Sequence, residues 1–170
     1  MVTLYNVVSS DGFIAEENGS EDFIPDEVWN DFLELCEAYD TLIIGKNTYT
    51  AIQSFGSELI EPFENTSIRK VIITRDENFI PKAMYEKVSS IDDALEMGSN
   101  ILLSSGPSLN TAFLKEKLID QIILNRLSIA IGAGIPQFEA HISPLLIPLP
   151  EPARETGGGR RLEFYSINYN

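Results

Sequence analysis

Thr41-Leu42-Ile43-Ile44-Gly45-Lys46-Asn47-Thr48-Tyr49 reads as a buried strand, a glycine turn and the opening of a helix. Asn100-Ile101-Leu102-Leu103-Ser104-Ser105-Gly106-Pro107-Ser108-Leu109-Asn110 has the same three parts, with a proline suited to a helical first turn. Such a junction aims unpaired backbone N–H groups and the positive end of a helix dipole beyond the strand, where an anion is favoured. Two of them in one α/β domain fit a dinucleotide whose pyrophosphate lies across neighbouring helix starts.

The flanking sequence sets the rest of the pattern. Thr3–Ser9 reads as a strand ending at the turn Ser10-Asp11-Gly12, and residues 16–25 as a polar loop. Pro25-Asp26-Glu27 opens a helix whose inner face carries Val28, Trp29, Phe32, Leu33, Leu35, Cys36 and Tyr39. Residues 56–67, with Pro62 and mixed charge, are expected to form a loop. Strands follow at Lys70–Arg75, Met84–Val88 and Ile101–Ser104, with helices from a Ser90 cap to Gly98 and over Pro107–Leu118. A long strand is predicted over 120–131, running into the bend Gly132-Ala133-Gly134. Two late strands near 145–149 and 162–169 flank a glycine-rich tip at 157–161. Alternating strands and helices followed by consecutive strands predict a three-layer α/β fold. Its sheet is mostly parallel and twisted, with an antiparallel C-terminal hairpin and helices on both faces. All 170 residues are read as one domain.

Composition excludes several classes. Net charge is −14, and residues 1–64 hold a single basic side chain, Lys46, so there is no basic stripe for nucleic acid. No run reaches the roughly 18 apolar residues of a membrane span, and the first residues lack a signal-peptide pattern, so a cytoplasmic protein is expected. The single cysteine, Cys36, lies on the helical stripe and reads as packing. The single histidine, His141, has no partner set for nucleophilic catalysis, and no His/Cys spacing suggests a metal.

The colinear series Ser10-Asp11-Gly12-Phe13-Ile14-Ala15, Gly45-Lys46-Asn47-Thr48-Tyr49, Thr74-Arg75, Ser105-Gly106-Pro107-Ser108-Leu109-Asn110 and Gly132-Ala133-Gly134-Ile135-Pro136 resembles the dihydrofolate reductase-like superfamily. Its nearest branch is the C-terminal reductase domain of riboflavin-biosynthesis deaminase-reductases. The resemblance implies an NADPH-dependent reductase of a pyrimidine or pterin-like heterocycle. One candidate step is reduction of 5-amino-6-(5-phosphoribosylamino)uracil; the alternative is a non-catalytic nucleotide-binding module that keeps the fold.

By the same resemblance Gly45, Lys46, Asn47 and Thr48 hold cofactor phosphates, and Thr74 and Arg75 receive the adenosine 2′-phosphate. Ser105, Gly106, Ser108 and Leu109 line the pyrophosphate, and Gly132 and Gly134 let backbone approach the nicotinamide. A carboxylate at the first helix start, Glu27 or Asp26, is the candidate catalytic acid, with partial burial expected to tune it. Asp11 either contacts substrate or caps its own turn. Phe13 and Ala130 stand where riboflavin-type enzymes usually have Lys and Pro, which leaves the heterocycle open. A homodimer through the late strands is implied as well.

Overall fold

The computed structural model describes residues 1–169. In chain order its elements are β1 (Val2–Val8), β2 (Phe13–Ala15), α1 (Glu27–Cys36), β3 (Thr41–Gly45), α2 (Lys46–Gln53), α3 (Ser57–Glu64), β4 (Arg69–Ile73) and β5 (Tyr85–Val88). They continue with α4 (Ile91–Leu95), β6 (Ile101–Leu103), α5 (Pro107–Lys115), β7 (Gln121–Arg126), β8 (Ile135–Pro136), β9 (Leu145–Pro148), β10 (Arg154–Gly157) and β11 (Arg160–Asn168). The fold is mixed α/β, with a mostly parallel central sheet and antiparallel late strands, as the alternation of elements predicts.

The chain forms two compact units. The first comprises Met1 and Asp26–Ser105. Its strands lie in the order β6-β3-β4-β5, all parallel, with Thr41 opposite Ile101 and Arg69, and Lys70 opposite Tyr85. Leu42, Ile43, Ile44, Val71, Ile72, Leu102 and Leu103 are buried along consecutive positions, the signature of strands covered on both faces. The helical cover is held by an aromatic cluster. Trp29 of α1 lies 5.4 Å from Phe63 of α3 and 5.1 Å from Phe55, and Phe32 lies 5.9 Å from Phe63.

The second unit comprises Val2–Pro25 and the chain from Gly106 onward. β1 pairs in parallel with β7, from Thr3 opposite Gln121 to Val8 opposite Arg126. β11 pairs antiparallel with β7 on one side, and with β10 and β9 in succession on the other. β2 and β8 form a separate antiparallel pair. Leu4, Phe113, Ile119, Ile122 and Leu127 are its largest fully buried side chains.

Four local expectations are corrected. Residues 57–64 are helical rather than a loop, with Pro62 inside α3. Burial of Ile60 and Phe63 on one helical face overrides the proline, and the Trp29 indole donates to the Leu59 carbonyl at 2.7 Å. Helix α5 ends at Lys115, because Lys117 turns into the left-handed region at φ 58. The strand predicted over 120–131 stops at Arg126. Its continuation turns to the first loop instead, where the Ile129 carbonyl accepts the Ser10 N–H at 2.8 Å. The glycine tip at 157–159 joins β10 to β11, so the chain contains a strand over Arg154–Gly157 that the pattern did not indicate.

Candidate functional site

In the first unit, β3 and β4 stay in register up to Gly45 opposite Ile73, so both strands leave the sheet together at their carboxyl ends. This brings Gly45-Lys46-Asn47-Thr48 beside Thr74-Arg75. Gly45 is the N-cap of α2 in an extended conformation, and no side chain caps that helix. Its first-turn N–H groups are therefore open to an anion.

The charges around that turn are already organised. The Lys46 ammonium lies 2.6 Å from Asp76 Oδ2 and 5.3 Å from the centre of the Phe79 ring. Asp76 is fixed in turn: its Oδ1 accepts the Asn78 N–H at 3.0 Å, and its own N–H donates to Thr74 Oγ1 at 3.2 Å. Lys87 Nζ donates to the carbonyls of Asp76, Glu77 and Phe79 at 3.4, 3.1 and 3.0 Å. The hydrogen bond from Lys46 holds the Asp76 carboxyl below the ordinary carboxylate range.

The unit's other cations are also engaged. Arg69 pairs with Glu86 at 2.6 Å and Lys82 with Glu64 at 2.8 Å. The buried Lys70 ammonium donates to the carbonyls of Glu64, Thr66 and Ile68. Arg75 is the exception: it is exposed and has no partner among the described residues.

In the second unit, Asp11 and the glycine bend meet. Asp11 Oδ1 accepts from Ser9 Oγ at 2.6 Å and from the Ile131 N–H at 3.3 Å, and Oδ2 accepts from the Gly132 N–H at 2.7 Å. The Ser9 and Gly132 hydrogen bonds lower its carboxyl's pKa. The carboxylate thus spans from its own turn to backbone about 120 residues away. Gly132 sits at φ 80, a conformation that favours glycine. A Cβ on Gly134 would stand 2.3 Å from the Ala15 carbonyl oxygen, so this glycine lets β8 approach β2.

Two polar groups support this turn and bend. Buried Asn110 of α5 donates to Asn6 Oδ1 at 3.0 Å and to the Gln137 carbonyl at 2.8 Å, tying the segment after β8 to β1. Glu163 of β11 accepts from Arg126 Nε at 2.9 Å, from Arg161 and from the Tyr165 hydroxyl at 2.8 Å. Arg126 Nη1 also reaches the carbonyls of Ser9 and Ser10 at 3.4 and 3.5 Å. Burial opposes charge on Glu163, but the hydrogen bonds from Arg161, Arg126 and Tyr165 outweigh it and leave its pKa lowered. An open cavity of about 450 Å³ beside the bend is lined by Glu16, Glu17, Asn18, Ile131 and Ala133.

The remaining candidates are placed as follows. Gly106 is the extended N-cap of α5, and a Cβ there would meet nothing within 4 Å. Ser105 is buried, Ser108 exposed and Leu109 half-buried. Asp26 is the N-cap of α1 without a side-chain cap bond, and Glu27 is its first residue. Both side chains are exposed, so neither has the partial burial expected of a tuned acid. Among the described residues no group of His, Cys, Asp or Glu has metal-binding geometry. His141 is exposed, 3.8 Å from Glu139. Burial pushes the Cys36 thiol up to about 12, as a packing residue requires. Lys46's partner Asp76 and the Asn6–Asn110–Gln137 network were not singled out by sequence. Asp76 had a local signal, since an acid two residues before Asn78 is a common Asx-turn.

The chain has an α/β fold of the dihydrofolate reductase-like class. Residues 1–141 match the RibD C-terminal domain, and the chain belongs to that family. It is 29% identical over 144 residues to the uncharacterized protein YwjB of Bacillus subtilis, covering 79% of this chain and 80% of that one. A crystal structure of a candidate riboflavin biosynthesis protein from Shewanella sp. PV-4 superposes with TM-score 0.75 at 23% identity, covering 98% of both chains. The deaminase/5-amino-6-(5-phosphoribosylamino)uracil reductase of Thermotoga maritima superposes with TM-score 0.70 at 16% identity. That match covers 99% of this chain and 56% of the longer enzyme.

Proposed function

We propose that this chain is an NADPH-dependent oxidoreductase acting on a pyrimidine or pterin-like heterocycle, of the kind reduced in riboflavin biosynthesis. Family membership supports the reaction class, and the placing of Gly45-to-Thr48 and Thr74-Arg75 after the carboxyl ends of two paired strands supports the cofactor. The single observation that carries the reading is Arg75, an unengaged guanidinium beside an uncapped helix start. A guanidinium fork matches phosphate geometry, and the open first turn of α2 supplies N–H donors.

In this reading the first-turn backbone N–H groups of Lys46, Asn47 and Thr48 hold phosphate oxygens, and Thr74 and Arg75 hold the 2′-phosphate. Ser105, Gly106, Ser108 and Leu109 offer a second phosphate turn. When bound, the nicotinamide supplies the hydride. Gly132 and Gly134 present backbone to it, and Asp11 holds the Gly132 bend in place. Glu27 or Asp26 contacts the heterocycle's N–H edge. Among the described residues no helix is long and apolar enough to cross a membrane, and the reading takes the chain as cytoplasmic. Exposed Leu145 and Ile147 on β9 suit a homodimer, which sedimentation would detect.

The test is thermal unfolding with NADPH, NADH and ATP. NADPH should raise the midpoint most, by about 2.7 kcal/mol of stabilisation at a hundred times Kd, and Arg75→Ala should erase its advantage over NADH. Equal shifts with NADPH and NADH in the wild type would refute the assignment of Arg75. The exposure of both Asp26 and Glu27 favours one second reading, a nucleotide-binding module without turnover. It predicts NADPH binding with no NADPH consumption across pyrimidines and pterins.

A further inference from the structure

Lys46 and Arg75 stand beside the same turn, yet the structure treats them differently. Lys46 is neutralised internally by Asp76 at 2.6 Å and rests over Phe79. Asp76 cannot readily swing away, because Asn78, Thr74 and the three carbonyls gripped by Lys87 hold its turn. A phosphate that approached Lys46 would meet the Asp76 carboxylate at contact distance. The net positive charge of the trio Lys46, Asp76 and Arg75 resides on Arg75. We propose that Asp76 is a specificity-determining residue of this turn: by occupying Lys46 it makes Arg75 the cation that reads the ligand's phosphate. This rests on the nucleotide reading above and refines it, because Lys46 then contributes its backbone N–H more than its ammonium.

The probe is 2′,5′-ADP, with 5′-AMP as the reference lacking the 2′-phosphate, titrated calorimetrically. Asp76→Asn keeps an acceptor for the Asn78 N–H and removes the charge. It should bind 2′,5′-ADP about two- to fivefold tighter, the scale of a half-exposed ion pair released. Lys46→Met should change affinity by less than about twofold in the wild-type background, and should abolish the gain in the Asp76→Asn background. Arg75→Met should weaken 2′,5′-ADP by about tenfold or more and leave 5′-AMP nearly unchanged. Weaker binding by Asp76→Asn, or an equal cost of Lys46→Met in both backgrounds, would overturn the proposal. Binding that Asp76→Asn leaves unchanged removes this proposal alone. Absence of 2′,5′-ADP binding in every variant removes the nucleotide reading and this proposal with it.

Discussion

Replacing Gly106 by alanine separates what the protein needs from what a ligand needs. The residue sits at φ −85 and ψ −179, ordinary extended backbone, and an added Cβ meets no atom within 4 Å. Two opposed effects act on stability. Alanine reduces the freedom of the unfolded chain, worth about 0.4–1 kcal/mol, and it caps a helix less well than glycine, costing about 0.5–1 kcal/mol. They nearly cancel. In a chain of this length 1 kcal/mol moves Tm by about 2–4 °C, so Gly106→Ala should unfold within about 2 °C of the wild type.

If a pyrophosphate bonds the first-turn N–H groups of α5, a methyl added at the Gly106 N-cap crowds its approach. Displacing it weakens charge-assisted hydrogen bonds worth about 1.5–3 kcal/mol, a ten- to hundredfold loss in NADPH affinity by about 1.4 kcal/mol per decade. Calorimetric scanning without ligand and fluorescence titration with NADPH read the two quantities separately. An unchanged NADPH Kd would show that no ligand approaches Gly106, and the turn before α5 would be an ordinary connection. A large fall in Tm would refute the packing argument instead.

Gly134→Ala should destabilise by about 1–3 kcal/mol, because its Cβ would sit 2.3 Å from the backbone oxygen of Ala15; wild-type stability in urea would contradict that contact. Phe63→Ala removes a fully buried ring from the cluster with Trp29 and Phe32 and should cost about 3–5 kcal/mol, read from the same denaturation curves. Glu163 titrates below its ordinary range, so its charged form stabilises the fold above the unfolded-state value of about 4.3 and that contribution fades as pH falls through the lowered folded value. Glu163→Gln should therefore flatten the loss of stability between about pH 5 and 3, and an identical acid slope in both proteins would sink the argument.

The strand-to-helix boundaries were legible because they are local. At each junction a buried strand run gives way to a helix within a few residues, and Pro107 suits a helical first turn. Helix α3 was not legible, since Pro62 argues against it and only the burial of Ile60 and Phe63 decides otherwise. The site divides in the same way. Lys46 was visible as the single basic side chain of residues 1–64 and Arg75 through the family resemblance, but which of them is free depends on β3–β4 register and on Asp76. The destination of the Asp11 carboxylate, Gly132, lies beyond any local pattern. The exposure of Asp26 and Glu27 likewise depends on packing that their helical first-turn sequence does not encode.

The parallel pairing of β1 with β7 has a consequence for synthesis. Val2 donates to Asp120 across 118 residues of chain, so the first strand leaves the ribosome long before its partner exists. At about 5–20 residues per second the interval is roughly 6–24 s. Through that time Val2–Val8, an apolar segment of the second unit, lacks the β7 side of its ladder. Such a nascent segment is a natural client for a holding chaperone. A ribosome stall between residues 60 and 120 should expose it to one for as long as the pause lasts.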